Sequence, residues 1–566
     1  MRIMKRLYYL LLFVSFISCD DFLDTKDYTN KNDQNFPLTE KDALLSLTSC
    51  YHIMANCQEH SSYFHGELTS DDRFGGGGPN DRIRHAADRL LKFDEIMFSD
   101  SWKRHYTGIY RANKLLEAID NVEFSSETAK NTILGETYFM RAYFYFELTK
   151  IFGDVPLLVN SEPVNIPRTP ASEVFAQIAL DLKTAIGLLP SINYNSQSKM
   201  DLGHATKWAA EGLLARAFLF YTGYYQESEM PIAGNGVLSK KEVIAYLEDC
   251  IANSGHQLVD DFRNMWPYTN TLTGNDYAYN QGRNLSWVGD DNNIETVFAI
   301  KFGTKGDWSN TDYANLAALG WSFRGQTNYA NVFPFGQGWG IGTVNPKFVA
   351  DWIRIEPNDT IRRNGSIIDV RNPEEGLVSY EDGGWEQMND GGFWQKKYIS
   401  INAWVDKEAR TFKGFSTLMF GGLDDYAFAN TQDQVLLRFA DILLMHSELT
   451  ETVDGINQVR ARVNLPPLGA YTLEKLQNER RFELAFEGGR YYDLLRWYGK
   501  NAGVVIDRNQ NGAKVLNNRV ESVINYNLTK RIQETGGFYQ IPQTEIDLSE
   551  GVLTQNPGWL GSDINL

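Results

Sequence analysis

Along the first half of the chain, apolar residues recur every three to four positions in blocks separated by short polar or proline-containing breaks. This is the pattern of helices with one buried face. The blocks fall at 40–57, 102–119, 131–152, 171–189, 205–225 and 241–252, and the period returns at 434–451, 455–463 and 472–498. Tyr138 to Phe146 is apolar nearly all round, so the 131–152 helix is expected to lie inside the others. Helices of this length joined by short breaks suit stacked hairpins of the tetratricopeptide kind, although the repeat is too degenerate for spacing alone to define it.

Between the helical blocks the pattern changes. Of the 84 residues 262–345, 16 are aromatic and only 11 are charged, so rings outnumber charges in a stretch without helical period. Alternation marks one strand, 295–302, with Phe298, Ile300 and Phe302 on one face. The rest reads as long ordered loops, and loops on a rigid scaffold are where binding residues concentrate. The fold class expected is therefore mainly α. A tetratricopeptide-like hairpin scaffold occupies 19–260, and a loop-rich, aromatic-rich ligand-binding lobe with short strands occupies 261–433. A helical and loop part, 434–566, packs back on the scaffold.

Residues 1–18 stand apart. Arg2, Lys5 and Arg6 precede an apolar run from Leu7 to Ile17, too short for the roughly 20 residues of a spanning helix, so the segment reads as a secretory signal. Cys19 follows Ser18 where a diacylglycerol-bearing cysteine would sit. Phe16-Ile17-Ser18 departs from the usual lipobox, whereas Asp20, Asp21 and Asp24 fit retention on the outer face of an outer membrane. The net charge of −18 becomes −21 once the three cations of the leader are removed, a surface that repels nucleic acid and anionic lipid. Cys50 and Cys57, seven apart in a helix, would lie about 10.5 Å apart, beyond disulfide reach.

Candidate chemistry is sparse. Glu479, Glu483 and Glu487 recur every four residues with Arg480, Arg490 and Asp493 nearby, and so many arginines point to an ion-pair network rather than to an acid/base pair. Cys50, His52, Cys57, His60 and His65 follow no zinc spacing. Asp507, Asn509 and Asn511 before Gly512 copy the start of a calcium loop, but the twelfth position is Asn518 rather than Glu. The same run also reads as a hairpin turn between 504–506 and 515–516. The glycines Gly336, Gly338, Gly340 and Gly342 lack the lysine of a phosphate loop. No cofactor and no catalytic residue is expected.

Five segments of the helical blocks recur as recognisable words: WKRHYTGIYRANKLL (102–116), ETYFMRAYFYFELTKIFGDVP (136–156), RFADILLMHSE (438–448), ERRFELAFEGGRYYDLLRW (479–497) and LTQNPGW (553–559). With SCDDFLD (18–24) at the start, they resemble the SusD/RagB family of nutrient-binding outer-membrane lipoproteins, in order and over nearly the whole length. The resemblance implies a helical body with tetratricopeptide-like units and a ligand-holding loop lobe. It implies as partner a SusC-like TonB-dependent β-barrel transporter, to which the lipoprotein delivers oligosaccharides. Peptides are the ligands of some members.

A sugar ring has an apolar face and a polar rim, so aromatic platforms fringed by Asn, Asp and Arg would hold it. On that ground Trp266, Trp287, Trp308, Asn310, Trp321, Arg324 and Tyr329 are the candidates from the lobe. Asp72, Arg73 and Phe74 join them because the corresponding loop often reaches the ligand in the resembled family. Two rival readings are the same role, as a lid over the barrel, for oligopeptides and, less favoured, a surface glycoside hydrolase. The hydrolase would need two carboxylates facing a cleft, for which Asp307 and Asp312 are the candidates.

Overall fold

A computed structural model describes residues 36–561. The leader and Cys19, on which the lipid reading rests, lie outside the described residues. Helices dominate, with five two-stranded sheets among the described residues. The first helix, Glu40–Cys57, starts where Thr39 closes a capping box with Asp42. The helices Ser99–Ala118, Glu127–Phe152, Ala171–Leu188, Lys207–Tyr225 and Lys240–Asn253 follow, each packed on its predecessor except where the chain loops out. Glu127–Phe152 is buried along almost its whole C-terminal two-thirds, because Phe139, Phe144, Tyr145, Phe146, Leu148 and Ile151 cover all of its faces. Lys207–Tyr225 also packs on Arg490–Tyr498, and this contact brings the C-terminal helices back onto the scaffold.

Three expectations from periodicity need correction. The block 472–498 is two helices, Leu473–Glu483 and Arg490–Tyr498. The break falls at Phe486 and Gly488, both at positive φ, where a Cβ on Gly488 would come within 2.4 Å of the Tyr63 ring. Residues 434–438 open the next block not as helix but as the strand Gln434–Arg438, antiparallel to Thr296–Ile300; the helix begins at Phe439. Finally, 504–506 is helix rather than strand. The hairpin pairs Lys514–Asn517 with Val520–Val523, and the run Asp507 to Asn511 closes the helix Ala502–Gln510.

One apolar cluster runs from Leu47 through Tyr145, Trp208, Trp321 and Trp394 to Trp559, so scaffold, lobe and C-terminal part share a core. Beside it lies a buried ionic web. Glu483 accepts from Arg438 at 2.6 Å, from Arg362 at 3.2 Å and also from Arg462. Glu479 pairs with Arg362 and Arg460, and Glu487 with Arg438 and Lys397. Burial alone would raise the Glu483 carboxyl, but Arg462, Arg438 and Arg362 outweigh it and hold it well below the usual range. The three glutamates at four-residue spacing are thus a structural tie between the lobe-facing strand and the C-terminal helices.

Candidate functional site

The loop after the helix Ser62–Leu68 turns inward rather than towards a ligand. Asp72 pairs with Arg481 at 2.7 Å, and Arg73 pairs with Glu67 at 2.9 Å while its guanidinium lies 4.3 Å from the Trp321 ring. Phe74 is enclosed by Ala513, Val515 and Ile524. All three are buried. Asp71 and Asp72 tie this loop to Arg490 and Arg481 of the C-terminal helices, while Arg73 is held by Glu67 and Trp321 and Phe74 packs beside the hairpin of Lys514–Asn517 and Val520–Val523.

The next residue, Gly75, donates its N–H to Asp88 at 2.8 Å, and Tyr526 donates its hydroxyl to the same oxygen at 3.1 Å. Burial pushes the Asp88 carboxyl up to about 7, against the opposing pull of the Gly75 N–H. Below about pH 4 the group is protonated folded or unfolded, whereas between about pH 4 and 7 only the folded chain keeps the proton. Its contribution is therefore lost as pH rises, at about 1.4 kcal/mol per pH unit in that window. Asp88→Asn is expected to remove that slope, read as urea midpoints at pH 4.5 and 7.5 that lie closer together than in the parent.

Two of the lobe tryptophans present no face to solvent. Trp321 is 0% exposed, stacked on Phe64 at 4.2 Å with Arg73 on its other side. Gly342 is glycine because a Cβ there would approach the Trp321 ring to 2.4 Å, and Gly338 because one would meet the Leu319 carbonyl at 2.1 Å. Close approach rather than anion binding explains the glycine run. Trp266 is buried edge-on against Tyr398, with the Lys397 ammonium 5.1 Å from its ring. Trp287 is half-buried, edge-on to Phe415 at 5.6 Å. Core packing has claimed Trp266 and Trp321 and most of Trp287.

The surface keeps the rest. Trp308 is 69% exposed and braced edge-on by Phe428 at 4.9 Å. Beside it Asn310 is exposed, its amide donating to Asp307 at 3.1 Å. Phe428 leads through the same loop to Tyr426, 47% exposed. Tyr329 is half-buried and donates to the Phe323 carbonyl at 3.1 Å; burial, then Tyr426, pushes its phenol up to about 12, with Arg324 opposing. Arg324 in turn lies 5.8 Å from the ring of Trp385, which is 66% exposed. These loops thus present exposed rings at Trp308, Tyr426 and Trp385, with Phe428 bracing the first and Arg324 beside the last, and this set is the aromatic path of the lobe. A cleft of about 110 Å³ opens beside it between Gln337, Asn402, Lys413, Asp424, Asp425 and Tyr426.

Tyr426 and Trp385 were not singled out from sequence. A signal for Trp385 exists: it stands in the run 380–392, rich in Gly, Asp and Glu, with Met388 as its one apolar neighbour at strand or helix spacing within that run. Its N–H is pinned to the Gly325 carbonyl at 3.2 Å, and the close backbone approach of Gly384 to that carbonyl leaves the ring outside.

Asp307 and Asp312 do not form a facing pair. Asp312 is turned to His52 at 3.3 Å and to Asn56, while Asp307 caps its own turn through the N–H groups of Ser309 and Asn310. Elsewhere, Asp507 accepts from Leu528 and Thr529, Asn509 donates to Asp71, and Asn511 bonds Tyr526. These side chains are spent on binding one segment to another. Among the described residues no group of three or more His, Cys, Asp or Glu side chains is placed to hold a metal ion.

Stacked helical pairs thus carry a loop lobe with aromatic rings exposed to solvent. The chain belongs to the SusD family, whose model matches residues 276–559, and a second model, described as "Starch-binding associating with outer membrane", matches 21–219. It is 25% identical to a SusD-like protein of Bacteroides ovatus over 85% of this chain and 80% of that one, and 23% identical to SusD-like protein P25 of Formosa agariphila over 90% and 91%. Among solved structures, a laminarin binding SusD-like protein superposes with a TM-score of 0.69 at 23% identity, covering 92% of this chain and all of that one. Surface glycan-binding protein A from Bacteroides thetaiotaomicron in complex with laminarihexaose gives 0.67 at 18%, covering 92% and 99%. These two structures are named as binding proteins, and the likeness establishes the shared fold. No helix among the described residues is long and apolar enough to cross a membrane.

Proposed function

We propose that this protein captures oligosaccharides at the cell surface on the aromatic path of its lobe and delivers them to a SusC-like TonB-dependent β-barrel in the outer membrane. A lipid on Cys19 would hold it there. The observation that carries the reading is the run of solvent-facing rings, Trp308, Tyr426 and Trp385, set among polar groups on a chain of the SusD family. Each exposed ring can stack on a sugar face while Asn310, Arg324 and Gln337 bond hydroxyls at the rim. Uptake energy would come through the barrel, so the lipoprotein needs no cofactor.

Isothermal titration calorimetry of residues 20–566 against defined oligosaccharides tests this. Saturable heat with at least one glycan, weakened about tenfold or more by Trp385→Ala, is the expected outcome. Heat from a peptide mixture with none from any glycan would replace this reading by the peptide one.

A further inference from the structure

We infer that the captured glycan is neutral, and that chains bearing carboxylate or sulfate are turned away. The inference rests on the proposed binding path and concerns only its chemistry. Holding an anionic sugar takes guanidinium or ammonium groups whose hydrogen-bonding edges are open to the ligand. Along the path such cations already face the protein's own acids, which offset their charge. Arg324 pairs with Glu386 at 3.3 Å, Lys413 with Asp424 at 2.9 Å, and Arg519 with Glu381 at 3.2 Å. The Glu381 carboxylate is fixed further by the Thr327 N–H at 2.9 Å.

Two cations of these loops have no carboxylate partner among the described residues. Arg410 spends its fork on the Ala330 carbonyl and the Asn331 side chain, and Lys305 is exposed. Against them stand Asp425 in the cleft and Asp307 beside Trp308, which likewise have no cationic partner there. The arginines that could have shifted the balance are placed elsewhere: Arg73 is buried on Glu67, and Arg84 pairs with Glu59. The path therefore carries no local excess of positive charge, and the chain around it has a net charge of −18, so an incoming anion meets repulsion both near and far. A neutral sugar meets the same acids as hydrogen-bond acceptors for its hydroxyls, which is how Asp425 and Glu386 would serve it.

The test compares matched ligands by calorimetry. Gluco-, manno- and galacto-hexasaccharides are titrated beside the same chains oxidised at C6 to uronic acids, at 20 and 300 mM salt. The expected result is that whichever neutral chain binds does so at least tenfold more tightly than its oxidised form. The gap should narrow at high salt, where the Debye length shrinks to several ångström, and in the double variant Glu386→Gln, Asp424→Asn, which frees Arg324 and Lys413. Tighter binding of an oxidised chain by the parent protein overturns the inference while leaving glycan capture standing. Equal affinity for both forms, unmoved by salt or by the double variant, overturns it as well. No heat from any of the six chains sinks the capture reading and this inference with it.

Discussion

Glu483→Gln is expected to lower the unfolding free energy by about 3–5 kcal/mol, the cost of removing one partner from a buried ionic group. The carboxylate receives Arg438, Arg362 and Arg462 in a site where it is 0% exposed. Its three cations cannot be rehydrated when the charge is removed. Glutamine keeps the volume and one acceptor oxygen, so the loss isolates charge rather than packing. For a protein whose net stability is of the order of 5–15 kcal/mol, such a loss is a large fraction of the total. Urea unfolding followed by circular dichroism gives the number, and Glu474→Gln, exposed on the same helix with no ion pair, is the control and should stay within about 0.5 kcal/mol. A small change at Glu483 would mean that the arginines relax onto other acceptors, Glu295 and Glu487 being the nearest.

The acids of that web were legible in the sequence because they recur at every fourth position with arginines nearby, whereas the partners they take, Arg362, Arg438, Arg460 and Arg462, come from distant segments. The helices were legible for the same reason, and their ends were not. The break at Gly488 is dictated by the Tyr63 ring, some 420 residues away in sequence, and the strand at 434–438 by its pairing with 296–300. Neither partner is visible in a window of eighteen residues. The loop lobe shows the limit most clearly. Composition located the aromatic stretch, yet it could not tell Trp321, enclosed by Phe64 and Arg73, from Trp308, braced only on one edge. Both follow stretches with small residues, and whether Trp321 is covered depends on a helix and a loop from the N-terminal part. Trp385 escaped because the path leaves the 262–345 stretch and continues on a separate loop.

Trp321→Ala and Trp308→Ala should therefore act on different quantities. Trp321 is fully buried against Phe64, Arg73 and the backbone of Gly342, so truncation leaves a cavity and strands a guanidinium that had an aromatic face; about 3–5 kcal/mol of stability should be lost. Trp308 has one edge on Phe428 and its face in water, so its removal should cost the fold no more than about 0.5 kcal/mol while weakening glycan binding about tenfold or more. Measured at a temperature where both variants are folded, affinity should be close to the parent's in Trp321→Ala and reduced in Trp308→Ala. The reverse pattern would place the ligand beneath the loops rather than on them. The path from Trp308 to Trp385 would then be only the outer wall of a site that opens when sugar arrives. Because stability and affinity are read separately, a variant that merely unfolds cannot imitate either result.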